Sequence, residues 1–132
     1  MKEETMEKSF HSICRWTFNA GQGGFVPADI RPSWSADNLN SAGVVKLIKE
    51  KIAPRLPDHI VLGYELHYNN EIDEENAYEV SQMLIDAGMH LAMITPGAHI
   101  HFGYGGVASL DEKERRAAEK LGQKTVDLVY GT

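Results

Sequence analysis

Three strand-length apolar runs alternate with three segments of helical period, and that alternation leaves the chain few folds to choose from. The clearest run is Ile60-Val61-Leu62-Gly63-Tyr64-Glu65-Leu66-His67, almost continuously apolar until it ends in a histidine followed by Asn69, Asn70 and Glu71. A strand covered on both faces reads this way, and its polar end reads as a strand opening into a site. A first strand is expected over 11–18, rich in aromatic and β-branched residues, and a third over 89–95, closed by Pro96-Gly97. The first helix is expected over 39–53, where Val44, Val45, Leu47, Ile48 and Ile52 form an apolar stripe behind an Asp37 or Asn38 cap and Pro54 stops the run. The second spans 74–87, with acids in its first turn and Gly88 as C-terminal cap, and the third spans 111–129 behind a Ser109-x-x-Glu112 capping box. Residues 1–9 form a polar lead-in, and 10–132 one α/β domain. The order βαβαβα implies parallel pairing through right-handed crossovers.

In such an array the loops that follow the strands open on one rim, so 19–35, 67–73 and 96–108 are expected to be neighbours. Most of the polar and aromatic loop residues lie in these three segments. His67, at a strand end, is placed for general acid/base work and needs one hydrogen-bonding partner to hold its tautomer. Glu65 shares its strand face and is either a buried partner or half of an ion pair across the strands. His99-Ile100-His101 would put two rings on one face if extended and could begin a metal site, but no third ligand stands at a recognisable spacing, so no metal is expected here. Trp16, Phe18, Phe25, Trp34, Phe102 and Tyr104 offer either an aromatic floor for a sugar ring or ordinary core packing. Gly21-Gln22-Gly23-Gly24 lacks the spacing of a nucleotide fingerprint. Cys14 falls inside the first strand, where a thiol is inert, and no serine sits in a nucleophile elbow.

Charge narrows the partners. The formal net charge is -6 and the longest basic run is Arg115-Arg116, so the field repels nucleic acid and anionic membranes. One cysteine makes no internal disulfide, and the charged start of the chain has no signal-peptide core, so cytoplasmic residence is the expectation.

The strands and loops also resemble a known family, the xylose isomerase-like TIM barrels, which include sugar isomerases and epimerases. The likeness runs from Ile13 to Tyr130. It rests on Arg15-Trp16-Thr17-Phe18 with a long loop containing Phe25, on Gly63-Tyr64-Glu65-Leu66-His67-Tyr68-Asn69-Asn70, and on Leu84-x-x-Ala87-Gly88-Met89 through Thr95 with Gly105-Gly106 and the charged third helix. The resemblance implies the first three units of a (β/α)8 barrel, since 132 residues are about half of the roughly 250 that a closed barrel uses. It implies aldose–ketose isomerisation or epimerisation of a sugar by the complete barrel. His67 would act in ring opening with Asn70 as its orienter, and Trp16, Phe25, Thr95 and Phe102 would line the pocket. Asn70 stands where the family usually has a carboxylate; an amide can hold a tautomer but cannot stabilise an imidazolium by charge. The family's divalent ions (Mg, Mn or Co) are held by later strands, so the resemblance implies no metal ligands in this chain and no metal-assisted hydride shift by it alone. Open sheet edges imply marginal stability or homo-oligomerisation. The alternative is a non-catalytic, self-associating binding module.

Overall fold

The computed structural model describes residues 7–18 and 40–131. Strands β1 (Ser9–Cys14), β2 (Ile60–His67) and β3 (His90–Thr95) form a parallel sheet in the order β1-β2-β3. β1 pairs with β2 from Ser9 opposite Ile60 to Cys14 opposite Glu65. The helices are α1 (Ser41–Leu47), α2 (Ala77–Asp86), the single turn α3 (Ala98–His101) and α4 (Glu112–Gly131). The expected α/β chain with a parallel sheet is therefore present. It divides into two compact units, residues 1–65 with 82–92 and residues 66–81 with 93–132. Among the described residues, no helix is long and apolar enough to cross a membrane.

In the first unit β1 is shorter than the sequence implies, giving way at Arg15–Thr17 to a 3-10 turn. Asn40 caps α1, its side chain accepting the Gly43 N–H at 2.9 Å. The expected caps Asp37 and Asn38 lie outside the described residues. Beyond Leu47 the helix widens into a π-helical turn over Ile48–Ile52 and then tightens into a 3-10 turn over Ala53–Arg55. Pro54 has no N–H to give to a carbonyl one turn back, so the α-helical ladder cannot pass through it and the chain rewinds on either side. The apolar stripe survives the rewinding: Val44, Val45 and Ile48 are buried. Each such side chain contributes about 1.5–3 kcal/mol.

The sheet of this unit has two unlike faces. Leu62 and Tyr64 of β2 are buried, whereas Phe10, Ser12 and Ala92 on the other face are exposed, Phe10 at 72%. Consecutive right-handed crossovers in a 1-2-3 strand order place their helices on one side, so the second face lacks that cover. The sequence reading of β2 as covered on both faces holds for the strand itself, no residue of which is exposed, with Gly63 buried on the second face; the bare positions there belong to its neighbours β1 and β3. On the bare face the strands approach closely at Gly63: a Cβ there would meet the Ala92 Cβ at 2.8 Å.

In the second unit Leu66, Tyr68, Ile72, Ala77, Ile94, Ala118 and Leu128 are buried. Asp73 caps the start of α2 through a reciprocal box. Its Oδ1 accepts the Glu75 and Asn76 N–H groups at 2.9 and 3.0 Å, and Asn76 Oδ1 accepts the Asp73 N–H at 2.9 Å. At α4 the cap differs from expectation. Asp111 Oδ1 accepts the Lys113 N–H, while Ser109 Oγ accepts the Asp111 N–H, so Ser109 makes a turn before the helix instead of a box with Glu112. The first turn of α4 also gathers the glycine loop before it: Glu114 Oε1 accepts the Tyr104 and Gly106 N–H groups at 3.1 and 2.9 Å. Gly105 and Gly106 lie at φ 106° and 59°, the left-handed region that lets N–H groups two residues apart converge on one anion.

Candidate functional site around His67

β2 ends at His67, and the chain turns back on itself within five residues. Asn69 takes a left-handed conformation at φ 63°, which asparagine tolerates. The Asn69 N–H donates to the Ile72 carbonyl at 2.9 Å, and the Glu71 N–H to the His67 carbonyl at 2.9 Å. This turn swings the Glu71 carboxylate over the histidine. Glu71 Oε2 accepts the backbone N–H of His67 at 3.0 Å and bonds to ring Nδ1 at 2.9 Å. The two side chains are 7% and 1% exposed. Because Oε2 already accepts the backbone N–H, it acts as acceptor to the ring as well, which puts the proton on Nδ1 and makes Nε2 the nitrogen through which the ring exchanges a proton. The carboxylate also offers a countercharge should the ring become an imidazolium.

The orienting group is thus Glu71 and not Asn70. Asn70 is exposed, and its backbone N–H reaches the His67 carbonyl at 3.3 Å. The amide that seemed to weaken the site is bypassed by the acid one position on. Glu71 was legible in the sequence as part of the polar end of the strand, but its role required the left-handed turn at Asn69.

β3 ends at Thr95, whose carbonyl accepts the Tyr68 N–H at 2.8 Å. The Thr95 hydroxyl is buried and makes no hydrogen bond among the described residues. Gly97, at φ 58°, starts the turn α3 and lies against the imidazole, where a Cβ would sit 3.5 Å from His67 Cδ2. His99 follows, exposed, its ring edge-on to His67 with centroids 6.0 Å apart and planes at 75°. His99 and His101 lie in a helical turn, not an extended segment, so their side chains diverge by about 200°. His101 instead meets Phe102, centroids 6.3 Å apart. Phe102 is half-buried and packs beside Gly106. Phe25 and the side chain of Trp16 lie outside the described residues.

No family model, curated protein or solved structure matches the chain. Function here has to come from the geometry. Among the described residues no group of three His, Cys, Asp or Glu side chains is placed to hold a metal ion.

A second polar pair braces the site from behind. The Tyr68 hydroxyl donates to Glu74 Oε1 at 2.7 Å. That hydrogen bond, then burial, pushes the Tyr68 hydroxyl up to about 12 from its ordinary 10.0. The same bond holds the Glu74 carboxyl below its usual range. Tyr68 binds its proton more tightly folded than unfolded, so its share of stability is complete below pH 10.0 and is lost as pH rises through about 12. Glu74 has the opposite sign: its share is present above 4.5 and lost as pH falls through the lowered folded value. Tyr68→Phe should therefore narrow its stability gap to wild type at both extremes and remove one phenol equivalent titrating near pH 12. A phenolate absorbance titration of both proteins checks this; an unchanged high-pH limb would show that the bond does not form.

Proposed function

We propose that residues 10–131 are the first three βα units of a xylose isomerase-like barrel and that His67 is the acid/base of a sugar-handling site, serving ring opening ahead of aldose–ketose isomerisation or epimerisation. The observation that carries this reading is the buried Glu71 carboxylate on Nδ1 of a histidine at the C-terminal end of a parallel strand, where βα arrays place their chemistry. In ring opening, Nε2 takes the proton of the anomeric hydroxyl as the bond from the anomeric carbon to the ring oxygen breaks. The imidazolium, held by Glu71, then returns that proton to the ring oxygen, giving the open-chain aldehyde. Thr95, with its buried hydroxyl at the end of β3, fits the role of a substrate hydrogen-bond partner, and Phe102 that of an apolar wall.

Ring opening needs no metal, so the chain as it stands can be tested. Anomer exchange of a panel of aldoses, followed by NMR, should be accelerated saturably by the protein and fall about 100-fold or more in His67→Gln. The second reading, a self-associating module without catalysis, is favoured by the bare sheet face carrying Phe10. Exchange no faster than with denatured chain, together with concentration-dependent oligomers in sedimentation, would replace the first reading with the second.

A further inference from the structure

Resting on the self-associating reading and on no chemistry at His67, we propose that two copies of the chain pair antiparallel along the outer edge of β1, about a two-fold axis at Ser12. Among the described residues β1 has β2 as its only strand neighbour, so its other edge is open. The Ser9 N–H donates to the His59 carbonyl at 2.9 Å, which turns the backbone groups of Ser9, His11 and Ile13 toward β2 and those of Phe10, Ser12 and Cys14 outward. Phe10, His11 and Ser12 are exposed, so the strand is reachable from both faces. Open edges are commonly blunted by a lysine, a proline or a bulge. Ser9-Phe10-His11-Ser12-Ile13-Cys14 has none of these and no carboxylate, although the whole chain carries -6.

A second copy fits because the edge is its own complement. The outward residues are spaced evenly about Ser12, so a two-fold axis there sets Ser12 opposite Ser12 and Phe10 opposite Cys14. The Ser12 N–H donates to the Ser12 carbonyl of the other copy and the Cys14 N–H to its Phe10 carbonyl, each bond made twice. The ladder closes there, because the Cys14 carbonyl opens the 3-10 turn over Arg15–Thr17. Phe10, 72% exposed, gains the Cys14 side chain of the other copy as cover. Charge favours the same sense: it brings Lys8, just before the strand, toward the sheet end where the other copy carries Glu65, the β2 residue in register with Cys14. An edge this short buries less than the roughly 1,200 Å² of a stable interface, so the dimer is a weak one.

Sedimentation of the full chain up to about 1 mM should show a monomer–dimer equilibrium. Ser12→Pro removes an outward N–H and none of the β1–β2 bonds, so it should raise the dimer Kd about tenfold or more with the circular dichroism unchanged. Ala92→Lys charges the bare face away from this edge and should leave Kd within about twofold, whereas it would abolish a dimer made by stacking two bare faces. In a Cys14→Ser background, Ser12→Cys should cross-link on oxidation, since Cα atoms across the axis lie about 5.5 Å apart, within disulfide reach. Phe10→Cys in that background should not, its two copies being about 14 Å apart along the strands. The cross-linking arm decides if proline unfolds the strand. A monomer at every concentration would overturn the proposal and the self-associating reading together. A dimer that Ser12→Pro leaves intact or Ala92→Lys abolishes, or cross-linking as fast from position 10 as from position 12, would overturn the proposal alone.

Discussion

Glu71→Leu is expected to destabilise the fold by about 3 kcal/mol, a large share of the roughly 5–15 kcal/mol by which small domains are stable. The carboxylate satisfies two donors at once, the backbone N–H and the ring Nδ1 of His67, and its side chain is 1% exposed. Leucine fills similar space but leaves both donors buried without that acceptor, at about 1–3 kcal/mol each. Glu71→Gln keeps an amide oxygen near the donors and removes only the charge, so about half the loss should return. Urea denaturation reads this as a lower midpoint with an unchanged slope. If Glu71→Leu fell within about 0.5 kcal/mol of wild type, in the range of ordinary surface changes, the carboxylate would not be the keystone of the β2 turn. On the catalytic reading, both variants also lose anomer exchange about 100-fold or more, because the imidazolium loses its countercharge.

The second large effect belongs to the bare face of the sheet. An alanine Cβ at position 63 would lie 2.8 Å from the Ala92 Cβ and 3.4 Å from the His90 carbonyl oxygen, closer than the strands can accept without moving. Two terms oppose each other. Replacing glycine removes freedom from the unfolded chain and favours folding by about 0.4–1 kcal/mol. Overpacking between two paired backbones costs about 1–3 kcal/mol. The second wins, and Gly63→Ala should lose about 1–2 kcal/mol. Valine should lose more. The decisive measurement is the double variant: Ala92→Gly removes the colliding atom, so Gly63→Ala on that background should be neutral or stabilising. Equal losses on the two backgrounds would mean that the contact does not limit the sheet.

How far the sequence led can be judged residue by residue. β2 was legible to its ends, because an apolar run closed by a histidine and two asparagines admits one reading, and β3 and α4 followed to within two residues. β1 was displaced because Trp16, Thr17 and Phe18 have strand-like composition but sit beyond the pairing with β2, in and just after a 3-10 turn. Hydrophobic period could not announce the π-helical turn at Ile48–Ile52, since one widened turn leaves the stripe almost intact. At the site, His67 was legible from its place at a strand end and Glu71 as part of the polar stretch after it, whereas their pairing was not. The resemblance pointed three residues on, to Asn70. The backbone selects the fourth, because a left-handed residue at Asn69 turns the chain through a tighter arc. In the sequence His99 stands out only beside His101, as a pair that could begin a metal site but has no third ligand at a recognisable spacing. Its helical turn separates the two and brings His99 beside His67 instead.

The glycine loop ahead of α4 already has a tenant. Glu114 occupies the converging amides of Tyr104 and Gly106, so their capacity to hold an anion is spent within the fold, and any outside anion could seat there only by evicting a carboxylate of like sign.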